Sequence, residues 1–268
     1  MPLRIAKSGA AIATFRIIDI DNDAFTFLTA AGITNTTQRN AINKLVIDLK
    51  YYGLWTKQRA IYPVVGGVAA SHAVNLKTPG TYNLTFTAGW VHSANGMTPN
   101  GTSDYANTGL NSNTQIPTSG HLSYYSRTQT ISSNESDIGS IDTGISPNQT
   151  CFILSAATSI QTRFGSGLII ATKNTTDNRG FIMSSRLNAT SLKLYINGNV
   201  EASNLTTNPQ VTPNLNIYLG ARNFNGTAGG YTTKQLAFAS IGDGLTDTDA
   251  LNFYTIVQRY QTNLSRQV

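Results

Sequence analysis

Over residues 191–242 the chain alternates apolar and polar positions with a period of two. Leu192, Leu194 and Ile196 point one way and Lys193, Tyr195 and Asn197 the other, the pattern of a strand with one buried side. Asn197-Gly198 then supplies two residues that tolerate positive φ, so the chain is expected to reverse into a short strand around Val200. Leu215, Ile217 and Leu219 repeat the alternation. After the glycine-rich residues 226–230, the run 235–241 supplies one more strand. Shorter apolar runs come earlier, at Leu84 and Phe86, at Leu122 and Tyr124, and over 151–157, 168–171 and 181–185, with turn clusters such as Pro99-Asn100-Gly101 between them. This spacing is the signature of an antiparallel sandwich or jelly roll. Residues 128–148 are polar and carry Gly139 and Gly144, so they read as loops and edge strands.

Helical periodicity is confined to the two ends. Asp21 or Asp23 can cap a short helix through Ala30, with Phe27, Leu28 and Ala31 on one side and Gly32 ending it. Ala41, Ile42, Leu45, Val46, Leu49 and Tyr52 then recur at three- and four-residue spacing, with Asn35 and Gln38 as a capping box and Gly53 as a C-terminal cap. This stripe needs a partner, and residues 54–65, with Trp55, Ile61, Tyr62 and Val64, offer one. A last helix opens at Thr246, with Asp247 and Asp249 in its first turn and Ala250, Leu251, Phe253, Tyr254, Val257 and Leu264 on a broad apolar face. Residues 12–20 are apolar and β-capable, and serve either as a first strand or as an arm that attaches the protein to a partner. The expected organisation is an arm or first strand over 1–20, a helical hairpin over 21–53 and a sandwich with its terminal helix over 54–268.

Composition narrows the surface more than the fold. Charged residues make up 12% of the 268, about half the usual quarter, so Asn, Thr, Ser and Gly must build the exterior. The net charge is +6, yet Lys and Arg are scattered singly from Arg4 to Arg266, which argues against a nucleic-acid partner. Cys151 stands alone and reads as a small buried hydrophobe with no intrachain disulfide. No apolar run approaches the roughly 20 residues a membrane span needs. Residues 1–16 lack a long apolar core, so neither membrane insertion nor a cleavable signal is expected. Asn-x-Ser/Thr triplets at Asn83, Asn100, Asn174 and Asn225 follow from the Asn- and Thr-rich composition.

Catalytic signatures are sparse. Paired-carboxylate hydrolysis needs two acids held on one face, and the glutamates are Glu135 and Glu201, both in polar, turn-like surroundings. Asp137 and Asp142 read as loop residues. His72, His92 and His121 lie too far apart to form a local metal motif, and Gly165 and Gly167 lack the helix that would make them phosphate ligands. No cofactor is expected, although calcium could use loop carboxylates at Asp104, Asp137 or Asp142. Carbohydrate sites combine an aromatic platform with amide or charged hydrogen-bonders, and Trp90, His92, Tyr105, Asn223 and Tyr231 are candidates of the right type. For Trp90 and Tyr105 the competing role is packing in the sandwich core.

Two resemblances add to this reading. The hairpin at 194–198, Leu219-Gly220-Ala221, Gly230-Tyr231 and Leu245-Thr246-Asp247 resemble the second half of a concanavalin A-like, laminin G-like sandwich, and residues 100–106 resemble its early strand pair. A narrower pattern, at residues 27–33, 55–57, 60–63, 65–67, 71–72 and 237–244, resembles structural proteins of tailed bacteriophages. The first resemblance implies a fold whose members often bind glycans and sometimes calcium. The second implies a non-enzymatic virion component of tail, fibre or capsid surface. Its partners would be other virion proteins, further copies of itself and host surface polysaccharide. No catalytic residue comes with either pattern.

Overall fold

The computed structural model describes residues 20–130, 132 and 134–268, so the expected strand or arm lies almost wholly outside the described residues. Helix α1 (Asn22–Ala30) starts where the Asp21 carboxylate accepts from the Asp23 N–H, and α2 (Thr36–Tyr51) starts where the Asn35 side chain accepts from the Gln38 N–H. There follow β1 (Gln58–Tyr62), α3 (Ala69–His72), β2 (Thr85–Phe86), β3 (Val91–Ser93), β4 (Gly96–Thr98), β5 (Ala106–Asn111) and α4 (Ser112–Gln115). The central run is β6 (Gly120–Ser126), β7 (Glu135–Asp142), β8 (Gln149–Ala156), β9 (Ser159–Ser166), β10 (Ile170–Asn174) and β11 (Gly180–Arg186). The chain closes with β12 (Leu192–Ile196), β13 (Asn199–Asn204), β14 (Asn216–Leu219), β15 (Arg222–Phe224), β16 (Thr227–Gly229), β17 (Leu236–Gly242) and α5 (Asp247–Asn263).

The strands form two sheets. The first runs β13-β12-β11-β6-β17-β4-β3, with β1 also pairing β17, and the second runs β10-β9-β8-β7-β14-β5-β2, with the β15/β16 hairpin joined to β7. Ile138, Cys151, Ile153, Phe164 and Leu219 from the second sheet meet Leu122, Tyr124, Ile182, Leu194 and Ile241 from the first in one core. A separate core lies on the other side of the first sheet, where Tyr125, Phe181, Met183 and Phe238 meet Phe27, Leu45, Leu49, Phe253 and Val257 of the helices. Each of these large side chains contributes about 1.5–3 kcal/mol by leaving water. The first sheet is therefore buried on both sides, and β6, β11 and β17 have no exposed position. The layers are helices, first sheet, second sheet.

Several expectations need correction. Residues 135–142 form the central strand β7, not an edge, and Glu135 and Asp137 are buried in it. Strand β9 lies outside the expected runs, because Gln161 and Arg163 interrupt its apolar positions. The α2 stripe docks on α5 as well as on residues 54–65, and Tyr52 falls beyond the helix on the surface. Leu251 on α5 is also exposed, since the helix rests on a narrower face than its sequence offers.

Two buried polar groups fasten the helical layer to the first sheet. Arg266 donates from Nη1 to the Val64 carbonyl (2.6 Å), from Nη2 to the carbonyls of Pro63 (2.9 Å) and Ala237 (2.8 Å), and from Nε to Gln261 Oε1 (2.6 Å). Ala237 lies where β17 slips register against β6, so the guanidinium satisfies a carbonyl at the irregularity. His121 is fully buried beneath Phe253, with Nδ1 2.7 Å from the Asp243 carbonyl and Nε2 3.0 Å from Ser240 Oγ. A carbonyl only accepts, so Nδ1 carries the proton and Nε2 accepts from the serine. The pair resembles a nucleophile and its base, but neither residue has any exposed surface, and its role is to hold β6, β17 and the α5 entry together.

Two outcomes follow from these contacts. Arg266→Ala takes the donor from the Val64 carbonyl and from Gln261 Oε1, at about 1–3 kcal/mol each, while the Pro63 and Ala237 carbonyls keep bonds from the Tyr260 hydroxyl and Gln261 Nε2. Denaturant titration should therefore show a loss above about 2 kcal/mol, against less than about 0.5 kcal/mol for Leu251→Ala. Burial pushes the His121 pKa down to about 4, against the pull of the Asp243 carbonyl. The unfolded chain therefore binds a proton below about pH 6.5 that the folded chain refuses, and stability should fall by up to about 1.4 kcal/mol per pH unit between pH 6.5 and 4. His121→Gln should make that limb measurably shallower, and an unchanged slope would contradict the assignment.

Candidate functional site

With the helices on one side of the first sheet, the outer side of the second sheet is, among the described residues, the broad strand surface that no helix layer covers, although its central strand β7 is buried at every position but Asp142. Alternation sends Cys151, Ile153, Phe164 and Leu219 inward, so their neighbours point out. Cross-strand register places Ile170 beside Arg163, Arg163 beside Phe152, Phe152 beside Gly139, Gly139 beside Tyr218, Tyr218 beside Asn107 and Asn107 beside Thr85. These seven residues form one continuous row across seven strands, about 29 Å long at the usual strand spacing. Gly139, at φ 145°, is required in it, because a Cβ there would come within 2.2 Å of the Phe152 side chain.

The row is layered. The Arg163 guanidinium lies 5.6 Å above the Phe152 ring, and Tyr105 stacks on Tyr218 with centroids 4.5 Å apart and planes at 25°. Phe152 and Tyr218 are themselves almost covered, so Arg163 and Tyr105, both half-buried, are what a ligand would meet. Arg163 donates to the Gly167 carbonyl (2.9 Å), while its buried Nε has no partner. It also lines a groove of about 330 Å³ with Pro147, Asn148 and Leu168. Arg222, from β15, donates to Ser136 Oγ (2.8 Å) beside the row. Burial lowers the pKa of both arginines, and for Arg222 the charge of Arg163 adds to the effect. Neither forms an ion pair among the described residues, so the two cations repel each other without local compensation.

The structure separates the five residues singled out from the sequence. Tyr105 sits on the row. Trp90 is nearly buried, edge-on to Phe86 at 5.5 Å, and its ring lies so close beneath Gly220 that a Cβ there would come within 2.8 Å. His92 joins the same cluster, its Nδ1 2.9 Å from His72 Nδ1. Because the Gly67 N–H donates to His72 Nε2 (3.2 Å), the His72 proton is on Nδ1 and is given to His92. Burial lowers both pKa values, to about 3 for His72, so the fold brings together two histidines too far apart in sequence for a local motif and holds them as a neutral hydrogen-bonded pair. Asn223 is buried, donating to the Asn216 carbonyl (3.0 Å) and accepting from the Gly226 N–H (2.9 Å), and so shapes the β15 turn. Tyr231 donates to the Ala228 carbonyl (3.0 Å) in the next loop. No local pattern marks Arg163, Arg222, Phe152 and Tyr218, because only strand register brings them together.

The remaining acids are engaged. Asp137 and Lys234 form a fully buried pair (2.9 Å), and Glu135 accepts from Thr232 Oγ1 (2.7 Å) and the Thr233 N–H (3.1 Å) beside it. Asp137 is thus an interior strand residue, contrary to its reading as a loop acid. Glu201 pairs with Lys173 across the sheet edges (2.6 Å). The carboxylates considered for calcium do not converge. Asp104 accepts from the Asn100 N–H and Asp142 from the Gly144 N–H, and among the described residues no three His, Cys, Asp or Glu side chains form a metal-binding group.

No protein-family model matches the chain, and no curated protein matches it. Solved structures do match. A mutant of Trypanosoma rangeli sialidase displaying trans-sialidase activity superposes with a TM-score of 0.55 at 6% identity, over 81% of this chain and 39% of that one. A mutant of HCR/D matches with a TM-score of 0.52 at 16% identity, over 75% and 52%. The botulinum neurotoxin serotype D binding domain matches with a TM-score of 0.52 at 12% identity, over 75% and 51%. The chain spans about half or less of the length of these proteins. At such identities the likeness concerns the fold, an antiparallel β-sandwich of a kind found in binding domains and in a sialidase.

Proposed function

We propose that the chain is a non-catalytic recognition module that binds a carboxylate-bearing polysaccharide along the outer row of its second sheet. The observation that carries this reading is the row itself: Arg163 over Phe152 and Tyr105 over Tyr218, with Arg222 beside them and, among the described residues, no carboxylate paired to either arginine. Guanidinium groups recognise carboxylates in a forked geometry, and an aromatic face meets the apolar side of a sugar ring. Arg163 and Tyr105 stand apart along the row with the covered Phe152, Gly139 and Tyr218 between them, a spacing that suits an extended polymer better than a small compact ligand. Recognition domains among the structural neighbours are compatible with this reading. Hydrolysis is disfavoured, because Glu135 and Asp137 are enclosed between the sheets and Glu201 is paired with Lys173 on the sheet edge.

The setting we propose is a tailed-phage virion, at tail, fibre or capsid surface. The resemblance of several segments to phage structural proteins supports it, and Phe27, Leu28, Ile33, Trp55, Ile61 and Val65 from those segments all enter the helical core on the side away from the row. That arrangement suits attachment to other virion proteins through the helical side, with the row presented outward. Many copies on one particle would turn modest single-site affinity into avidity.

Purified protein should be retained by acidic host-surface polysaccharide. Arg163→Gln and Tyr105→Ala should each weaken retention at least about tenfold, which is about 1.4 kcal/mol, with circular dichroism unchanged. Trp90→Phe should bind normally, since the indole faces the interior. Equal binding by all variants, or release of reducing ends that is lost in Glu135→Gln, would overturn the reading.

A further inference from the structure

The most unusual chemistry in the molecule lies away from the row, at the end of the core between the sheets. Lys234, in the segment entering β17, is fully buried, and its Nζ lies 2.9 Å from Asp137 Oδ1, 2.8 Å from Ser155 Oγ and 2.9 Å from the Tyr124 hydroxyl. Ser155 in turn donates to Asp137 Oδ2 (2.6 Å). Glu135 stands two residues before Asp137 on β7, and the Thr232 hydroxyl lies between them, 2.7 Å from Glu135 Oε2 and 3.3 Å from Asp137 Oδ1. An amine and a carboxyl group are thus held in contact, out of water, with a second carboxylate one hydroxyl away.

We propose that Lys234 and Asp137 condense to an intramolecular amide, with Glu135 as the general base, so that a covalent bond ties β7 of the second sheet to the strand entering the first. Reacting atoms in a near-attack pair are about 3–3.5 Å apart, and a nitrogen already 2.9 Å from Oδ1 stands close to that distance from Cγ. Proton transfer from the Lys234 ammonium to Asp137 gives a neutral amine and a neutral carboxylic acid. The Nζ lone pair attacks Cγ. Glu135 takes the proton released from nitrogen through Thr232 and returns it to the departing hydroxyl. The Cγ–O bond breaks, one water leaves, and Glu135 ends as it began, so no oxidant or co-reactant is needed.

The surroundings favour each step. Burial lowers the Lys234 pKa against the opposing charges of Asp137 and Glu135, which makes the nucleophilic amine accessible. Burial alone would raise Glu135, but bonds from Thr232, Thr130, Thr233 and Ser132 outweigh it and keep the group a carboxylate. Condensation also removes two opposite charges from a low-dielectric interior, where they are expensive to keep. Cys151 is the only cysteine, so no disulfide can supply an equivalent cross-link within the chain.

The test is the intact mass of the full-length folded protein, measured after denaturation. The expected mass is lower than that of the linear chain by one water, about 18 Da, and digestion should yield a branched peptide joining Lys234 to Asp137. Lys234→Met should show no loss. Glu135→Gln, folded by circular dichroism, should keep the linear mass or lose water far more slowly. A folded wild-type protein at its full linear mass, or a water loss that maps elsewhere, overturns the proposal. Condensation in Glu135→Gln at the wild-type rate overturns the role of Glu135.

Discussion

A sheet buried on both faces constrains everything around it. Tyr125, Phe181 and Phe238 on one side of the first sheet, and Tyr124, Ile182 and Ile241 on the other, leave β6, β11 and β17 no contact with solvent. One face must therefore belong to the helices and the other to the second sheet. The consequence for function is geometric. Recognition by a strand surface in this fold has the outer side of the second sheet to work with, and the row from Ile170 to Thr85 lies there.

The same constraint makes the interior polar groups expensive. A charge removed from water must find complete compensation, and the buried cations illustrate two solutions. Arg266 is surrounded by carbonyl oxygens and Gln261, which satisfy its donors without a counter-ion among the described residues. Lys234 instead meets Asp137 directly, in a network with Tyr124, Ser155 and Thr232. Both sit where irregular backbone enters or leaves β17, the strand that contacts both cores. Packing supplies the bulk of the stability, and these groups fix which strand ends meet.

How much could be read from the chain alone depended on how local the signal was. Both long helices were legible because Asn35 and Thr246 cap them within one turn, and the Asn197-Gly198 reversal because its positive φ values belong to those two residues. Strand β7 was not. Glu135, Ser136, Asp137, Gly139 and Ser140 resemble a loop until their partners are known, and those partners include Thr232, Lys234, Ser155 and Ser112, residues distant in sequence. The row was hidden for the same reason, since a face is defined by register between strands and a shift of one residue would send Arg163 and Phe152 inward. Of the residues chosen by type, Tyr105 reached the surface row, while Trp90 had the right chemistry in an interior place.

What unites the molecule is a division of labour between an enclosed interior that fixes strand order and the outer face of the second sheet, where Arg163 and Tyr105 are half-exposed. The most direct test is to map backbone amide shifts by NMR while an acidic oligosaccharide is added to the protein. The perturbed amides should cluster on β9, β8, β14 and β5, around Arg163, Phe152, Tyr218 and Tyr105. Perturbations centred on the helices or on the Trp90–His92 cluster, with the row silent, would contradict it.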